Sequence, residues 1–213
     1  MGEAKLVDQS GRTLGPRAAE TRQRLLDATE ELLATRKLRD LRVIDVARRV
    51  GTSPATFYQY FEDLEAAVLE LAERAALEVP AIVAEIGGSF DGAAGLPRAR
   101  RIVEAFVAHW DAHRAVLRVR NLASEEGDAR FLRVRRQVHG PVIEVLAEQV
   151  RRSQAAGRVA PEIHPYAAAA ALAAILERLA AYHPALRAVG VTREHLVETS
   201  ARILLRTLTG TAA

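Results

Sequence analysis

The 213-residue chain contains no cysteine, which excludes disulfides, thiolate metal ligation and a cysteine nucleophile. It has no run of 18 apolar residues, so a membrane-spanning helix is not expected. The first residues, MGEAKLVDQSGRTLG, lack the apolar core of a secretion signal, and a cytoplasmic location is the expectation. Strand signals are scarce: β-branched alternation is almost absent, whereas Ala, Leu, Glu and Arg dominate. Neither a Gly-rich phosphate loop nor a GxSxG elbow occurs. Strong net charge is also missing; +3 is too mild by itself to establish nucleic-acid binding. Lysine is nearly absent, with 28 of 30 basic residues being arginine, a residue suited to bidentate phosphate contacts, although a GC-rich genome produces the same bias.

What the chain does contain is concentrated in residues 41–64, LRVIDVARRVGTSPATFYQYFEDL. Val43, Val46, Ala47 and Val50 form an apolar stripe at helical spacing, and the small Ala47 allows a second helix to cross closely. Gly51 can adopt the positive φ that a sharp helix stop requires. Ser53 suits the N-cap of a following helix, with Pro54 at its first position, where a missing N–H costs nothing. Phe57 and Phe61, four residues apart, are expected to turn inward, leaving Thr56, Tyr58, Gln59 and Tyr60 outside. Asp63 is expected to cap a helix starting at Leu64. Such a helix-turn-helix lays its second helix in the major groove of DNA, although an ordinary helical hairpin shares the pattern. Around it, residues 36–49 carry Arg36, Lys37, Arg39, Arg42, Arg48 and Arg49 against Asp40 and Asp45, a local balance of +4. Such a patch can neutralise phosphates or simply form a solvated helix face.

Periodicity places the first helix over residues 18–35, with Leu25, Ala28, Leu32 and Leu33 inward. A long helix is predicted from residue 64 into the early eighties, kinked or ended at Pro80. A loop follows in IGGSFDGAAGLP, with four glycines and a proline. Amphipathic helices are predicted near 97–118 and 128–156, broken by NLASEEG and bent at Pro141. Two more are expected near 162–187 and 192–208, the last capped by Thr192. In the penultimate one, Ala167, Ala170, Ala171 and Ala174 make a smooth face for close helix approach. The final one offers Leu196, Ile203, Leu204 and Leu208 at near-helical spacing.

From RAAETRQRLLDATEELLA through DVARRVGTSPATFYQYF, residues 17–64 resemble the N-terminal domain of the TetR family of bacterial repressors. The resemblance implies an all-α chain: a flexible arm over residues 1–16, a helix-turn-helix domain over 17–63, and a ligand-binding and dimerisation domain over 64–213. It implies a recognition helix at Pro54–Tyr60. Thr56 and Gln59 would face base edges, Gln pairing bidentately with adenine. Tyr58, Tyr60, Thr52, Ser53 and Arg42 would hold phosphates. Arg12 and Arg17 are candidates for a basic arm in the minor groove. Two positions depart from the family pattern: Leu64 stands where a lysine is usual, and Ile44 where a polar residue is common.

The same resemblance implies a homodimer formed by the last two helices through Ala167, Ala170, Ala171, Ala174, Leu196, Ile203 and Leu204, bound to a near-palindromic operator. It places an effector pocket among Phe106, His109, Trp110, His113, Asn121, Phe131, His139 and Tyr166. Residues 98–136 hold ten arginines against five acids, a pattern compatible with an anionic, acyl-type effector or with salt-bridged helix faces. His109 and His113 have metal-ligand spacing, but no glutamate separates them as in HExxH, so neither a metal nor a cofactor is expected. Two other classes stay open: a helical acid–base enzyme, disfavoured because the histidines have no evident carboxylate partner, and a helix-turn-helix module without an effector.

Overall fold

The computed structural model describes residues 9 and 11–210. Every regular element among them is helical: α1 (Pro16–Thr35), α2 (Val43–Val50), α3 (Pro54–Tyr58), α4 (Leu64–Ala76), α5 (Val79–Ile86), α6 (Gly95–Glu125), α7 (Ala129–Ala155), α8 (Pro165–Leu186) and α9 (Arg193–Thr209). No helix among the described residues is long and apolar enough to cross a membrane. The chain divides into two compact units: Met1–Arg74 with Ala115–Val134, and Ala75–Arg114 with Arg135–Ala213.

In the first unit, α1 begins with Pro16 in its first turn and buries Leu25, Leu26, Ala28, Thr29 and Leu33. Leu32, expected inside, is only half-buried, while Leu26 is fully enclosed. Complete burial of a leucine contributes about 1.5–3 kcal/mol. The hydroxyl of buried Thr29 donates to the Leu25 carbonyl at 2.8 Å, so no polar group is stranded there. Arg24 donates to the Val50 carbonyl at 2.8 Å, satisfying the end of α2 from α1. Arg22 forks onto both carboxylate oxygens of Glu70, stacks 4.8 Å above the Phe61 ring, and thereby ties α1 to α4. Asp63 accepts from the Ala66 N–H at 2.6 Å, capping α4 as its sequence position predicts.

α4 stops at Ala76 rather than running into the eighties. Pro80 lies four residues on, where its ring would clash with the Ala76 carbonyl of a continuing helix. It instead occupies the first turn of α5. In the second unit, Gln149 of α7 donates to the carbonyls of Ile86 (2.9 Å) and Gly88 (3.1 Å), closing the end of α5. α6 starts at Gly95, where an added Cβ would collide with the Phe90 carbonyl oxygen. It then continues to Glu125, through the expected break, because the residues before Gly127 are compatible with a helix. The chain turns only at Gly127, with φ +96°. α6 is nevertheless interrupted at His113, whose φ −120° and ψ 18° are not helical. Thr192 caps α9 by accepting from the His195 N–H at 3.2 Å, as predicted.

Candidate nucleic-acid interface

The turn between α2 and α3 has the geometry its residues dictate. Gly51 sits in the left-handed region at φ +76°, ψ 36°. Two residues later Ser53 is extended, and its Oγ accepts from the Thr56 N–H at 3.2 Å. Val46 and Ala47 are fully buried, so α2 and α3 meet through small and branched side chains. Phe57 and Phe61 turn inward with ring centroids 5.4 Å apart. Anchoring of that face leaves Tyr58 and Gln59 exposed, with Thr56 and Tyr60 half-buried at the flank. The Thr56 and Ser53 hydroxyls are hydrogen-bonded at 3.1 Å.

α3 is shorter than the predicted Pro54–Tyr60. Helical structure ends at Tyr58, and Gln59 is its C-cap, with its N–H on the Ala55 carbonyl at 3.2 Å. The Tyr60 N–H then bonds Phe57 only three residues back, a tightened last turn. Two contacts that local patterns do not announce close this end. The Gln9 backbone N–H donates to the Gln59 carbonyl at 3.0 Å, and its side chain donates to the Tyr60 carbonyl at 3.2 Å. Most of the predicted arm, residues 1–8 and 10, lies outside the described residues.

The basic patch is partly neutralised. Arg49 meets Glu31 at 2.9 Å, Arg36 meets Asp45 at 3.2 Å and Arg39 lies 3.8 Å from Asp40. Among the described residues no ion pair engages Lys37, Arg42 or Arg48. Arg42 is the exposed N-cap of α2, and its N–H donates to Asp45 at 3.1 Å. That bond, with the Arg36 charge beside it, holds the Asp45 carboxyl below the usual carboxylate range. Leu64, where a lysine is usual in the family, is buried at 7 % exposure and contributes to the core, whereas Ile44 is 44 % exposed on α2.

The eight expected pocket residues are divided between the two units. Asn121 and Phe131 belong to the first unit and the other six to the second. Trp110 is 4 % exposed among core side chains, and Phe106 is half-buried. Tyr166 is exposed and donates to Glu144 at 2.7 Å. His139 lies 3.4 Å from Glu177, and Asn121 accepts from the Arg120 guanidinium. Phe131 borders a large cleft, of about 710 Å³, formed with Leu33, Leu38, Val119, Leu122 and neighbours in the first unit. Leu122, one of its lining residues, is 57 % exposed.

Nor do the histidines lack carboxylates. His183 meets Asp111 at 2.7 Å, and Glu78 bridges His109 Nδ1 (2.9 Å) and His113 Nε2 (2.8 Å). Burial works against ionisation of Glu78, but these two hydrogen bonds prevail and its carboxyl lies below the ordinary value. The arginine surplus of residues 98–136 is likewise partly neutralised. Arg98 and Arg101 share Glu85, Arg100 meets Glu198, Arg114 meets Asp111 and Arg130 meets Asp128.

Of the expected dimer residues, Ala167, Ala170, Ala171, Ala174 and Ile203 are exposed. Leu196 and Leu204, at 4 % and 1 % exposure, are instead spent on the chain's own core.

No curated protein is matched by the sequence. Solved structures share the fold at low identity. The fatty acid degradation regulator FadR of Bacillus halodurans is 17 % identical, with a TM-score of 0.66 over 91 % of this chain and 97 % of that one. FadR of Bacillus subtilis, solved with stearoyl-CoA, is 13 % identical, with a TM-score of 0.63 over 89 % and 98 %. SmeT, the repressor of a Stenotrophomonas maltophilia multidrug efflux pump, is 15 % identical, with a TM-score of 0.59 over 88 % and 87 %. Residues 25–71 match the family model for bacterial regulatory proteins of the tetR family, and residues 83–213 match the tetracyclin repressor-like C-terminal domain. With the helix-turn-helix in the one segment and a wholly helical second segment in the other, the chain belongs to the TetR family of transcriptional regulators.

Proposed function

We propose that this regulator is a dimeric, sequence-specific repressor, not an enzyme, released from a near-palindromic operator by a small-molecule effector. The observation that carries the reading is the exposed edge of α3. Tyr58 and Gln59 project outward while Phe57 and Phe61 fix the helix from behind. Residues 17–63 are assigned the DNA contact and residues 64–213 ligand binding and dimerisation. Gln59 and Thr56 are assigned base edges; Arg42, Thr52, Ser53, Tyr58 and Tyr60 are assigned phosphates.

A dimer would present two α3 helices about 34–36 Å apart, one turn of DNA. The exposed alanine face of α8, with Ile203 of α9, supports that assembly, since small residues let helices approach closely. For the effector, the cleft bordered by Phe131 has the size of a drug-like ligand site. Its apolar walls suit an apolar molecule, and Arg36, Lys37, Arg39 and Arg118 against Glu65, Glu126 and Asp128 in its lining leave a slight positive balance for an anionic head. The stearoyl-CoA held by the Bacillus subtilis FadR is of that chemical type. Release requires tighter effector binding to the DNA-free form, with coupling of about 1–3 kcal/mol.

The deciding experiment is fluorescence-anisotropy titration, at fixed salt, of DNA from upstream of the chain's own gene beside scrambled DNA. A preference of about 10³-fold or more supports specific regulation and supplies the assay for effectors. Equal affinity for both DNAs would refute operator recognition at that site.

A further inference from the structure

The strongest unassigned cluster lies at the start of α5 and the interruption of α6. His109 and His113 stand one helical turn apart, with ring centroids 5.2 Å from each other. Glu78, the residue preceding α5, sets one carboxylate oxygen against each ring. One donor atom from each of the three residues falls within 4.8 Å of the other two. The burial is graded: His109 is 8 % exposed, His113 21 % and Glu78 53 %. An ion would therefore meet a buried imidazole inside and an exposed carboxylate at the mouth.

We propose that His109, His113 and Glu78 form a binding site for a divalent transition-metal ion of the zinc class. Donors bound at about 2.0–2.2 Å around a tetrahedral ion stand roughly 3.3 Å apart. The present Glu–His separations of 2.8 and 2.9 Å are already shorter than that edge, so the ion needs outward rotation of Glu78. The longest donor separation closes by at most about 1.5 Å, within reach of the exposed Glu78 and half-buried His113 side chains. Two imidazoles and one carboxylate leave a fourth position for water or a ligand's own donor atom. Both backbone departures involved, the α4–α5 break before Glu78 and the non-helical His113, become cross-linked by one ion. The site stands independently of the repressor reading, because its chemistry requires neither DNA nor an organic effector.

The test uses the full chain without an affinity tag, since added histidines would bind metal themselves. Zinc is titrated against a chromophoric chelator, and cobalt(II) serves as the spectroscopic probe. The expected result is one ion per chain, visible cobalt d–d absorption, and proton release on binding. His113→Ala is expected to weaken binding by about 100-fold and Glu78→Gln by about 10-fold or more. Circular dichroism should show unchanged helicity in both variants, and His195→Ala, at an exposed position on α9, should bind as the parent does. Stoichiometric binding that survives both site variants within about threefold would assign the metal to dispersed surface histidines and overturn the site. Failure to bind either metal would overturn it as well, leaving Glu78 as a hydrogen-bonding clamp only.

Discussion

The Arg22–Glu70 pair offers a quantitative test of what holds the recognition element in place. Its side chains are 11 % and 20 % exposed, much closer to a buried pair than to a surface one. Exposed pairs contribute about 0–1 kcal/mol, whereas removing one partner of a buried pair costs about 3–5 kcal/mol. The two ends are not equivalent. Arg22 depends on Glu70 for its anion, and its Nε is buried without a hydrogen-bond partner. Glu70 has a second cation, Arg74, at 2.8 Å. Glu70→Leu therefore strands a guanidinium in the interior and should cost about 3 kcal/mol. Arg22→Met leaves Glu70 paired and keeps an apolar stem over Phe61, so its cost should be about 1–2 kcal/mol. The double variant strands nothing and should recover most of the Glu70→Leu loss, a coupling of about 1.5 kcal/mol or more. Urea unfolding followed by far-ultraviolet circular dichroism measures all four proteins, with the variant transitions compared at constant slope. Equal losses for the two single variants, or a double variant at the sum of both, would refute the reasoning.

Three further expectations follow from other sites. Gln59→Ala should weaken operator binding by about 1–3 kcal/mol and relax preference at one base pair, while leaving unfolding unchanged; an unaltered preference in a binding-site selection would remove Gln59 from base reading. Ala170→Arg on the exposed face of α8 should shift the chain toward monomer in sedimentation velocity, because a long charged side chain prevents close helix approach; an unchanged mass would move the interface elsewhere. Glu198, held between Arg100 at 2.6 Å and Arg202, has its carboxyl lowered to about 2 from 4.5. Its contribution is complete above pH 4.5 and is lost as pH falls through about 2, so the stability gap between the parent chain and Glu198→Gln should be greatest near neutrality and close on acidification. A gap that widens in acid would contradict that sign.

The local devices were readable from single residues. Gly51, Ser53, Pro54 and Asp63 each act within four residues of their own backbone, so their sequence positions dictate the turn, the caps and the helix start. Phe57 and Phe61 followed from spacing alone. Pro80 by itself signals a stop or kink, but its position in the first turn of α5 depends on where the α4 ladder has to end. The ligand side was least legible. Trp110 and Phe106 have the spacing of an apolar face, and spacing does not distinguish a pocket wall from a filled core.

The sequence by itself therefore determined the helical class, the turn geometry, the caps and, of the four side chains it turns outward, Tyr58 and Gln59, because those rest on backbone propensity and on the 3.6-residue period; the ends of α3 and α4 and the continuity of α6 it did not. Tertiary structure decided everything that joins residues far apart in the chain. It brought Glu78 to two histidines more than thirty residues away, Gln9 to the end of α3, and Glu85 to the arginines that had looked like a free positive surface. It also decided that Leu196 and Leu204 serve the interior while Ile203 remains outside. Periodicity gives a helix an apolar stripe, but only packing chooses which part of that stripe the chain covers itself and which part it leaves for a partner.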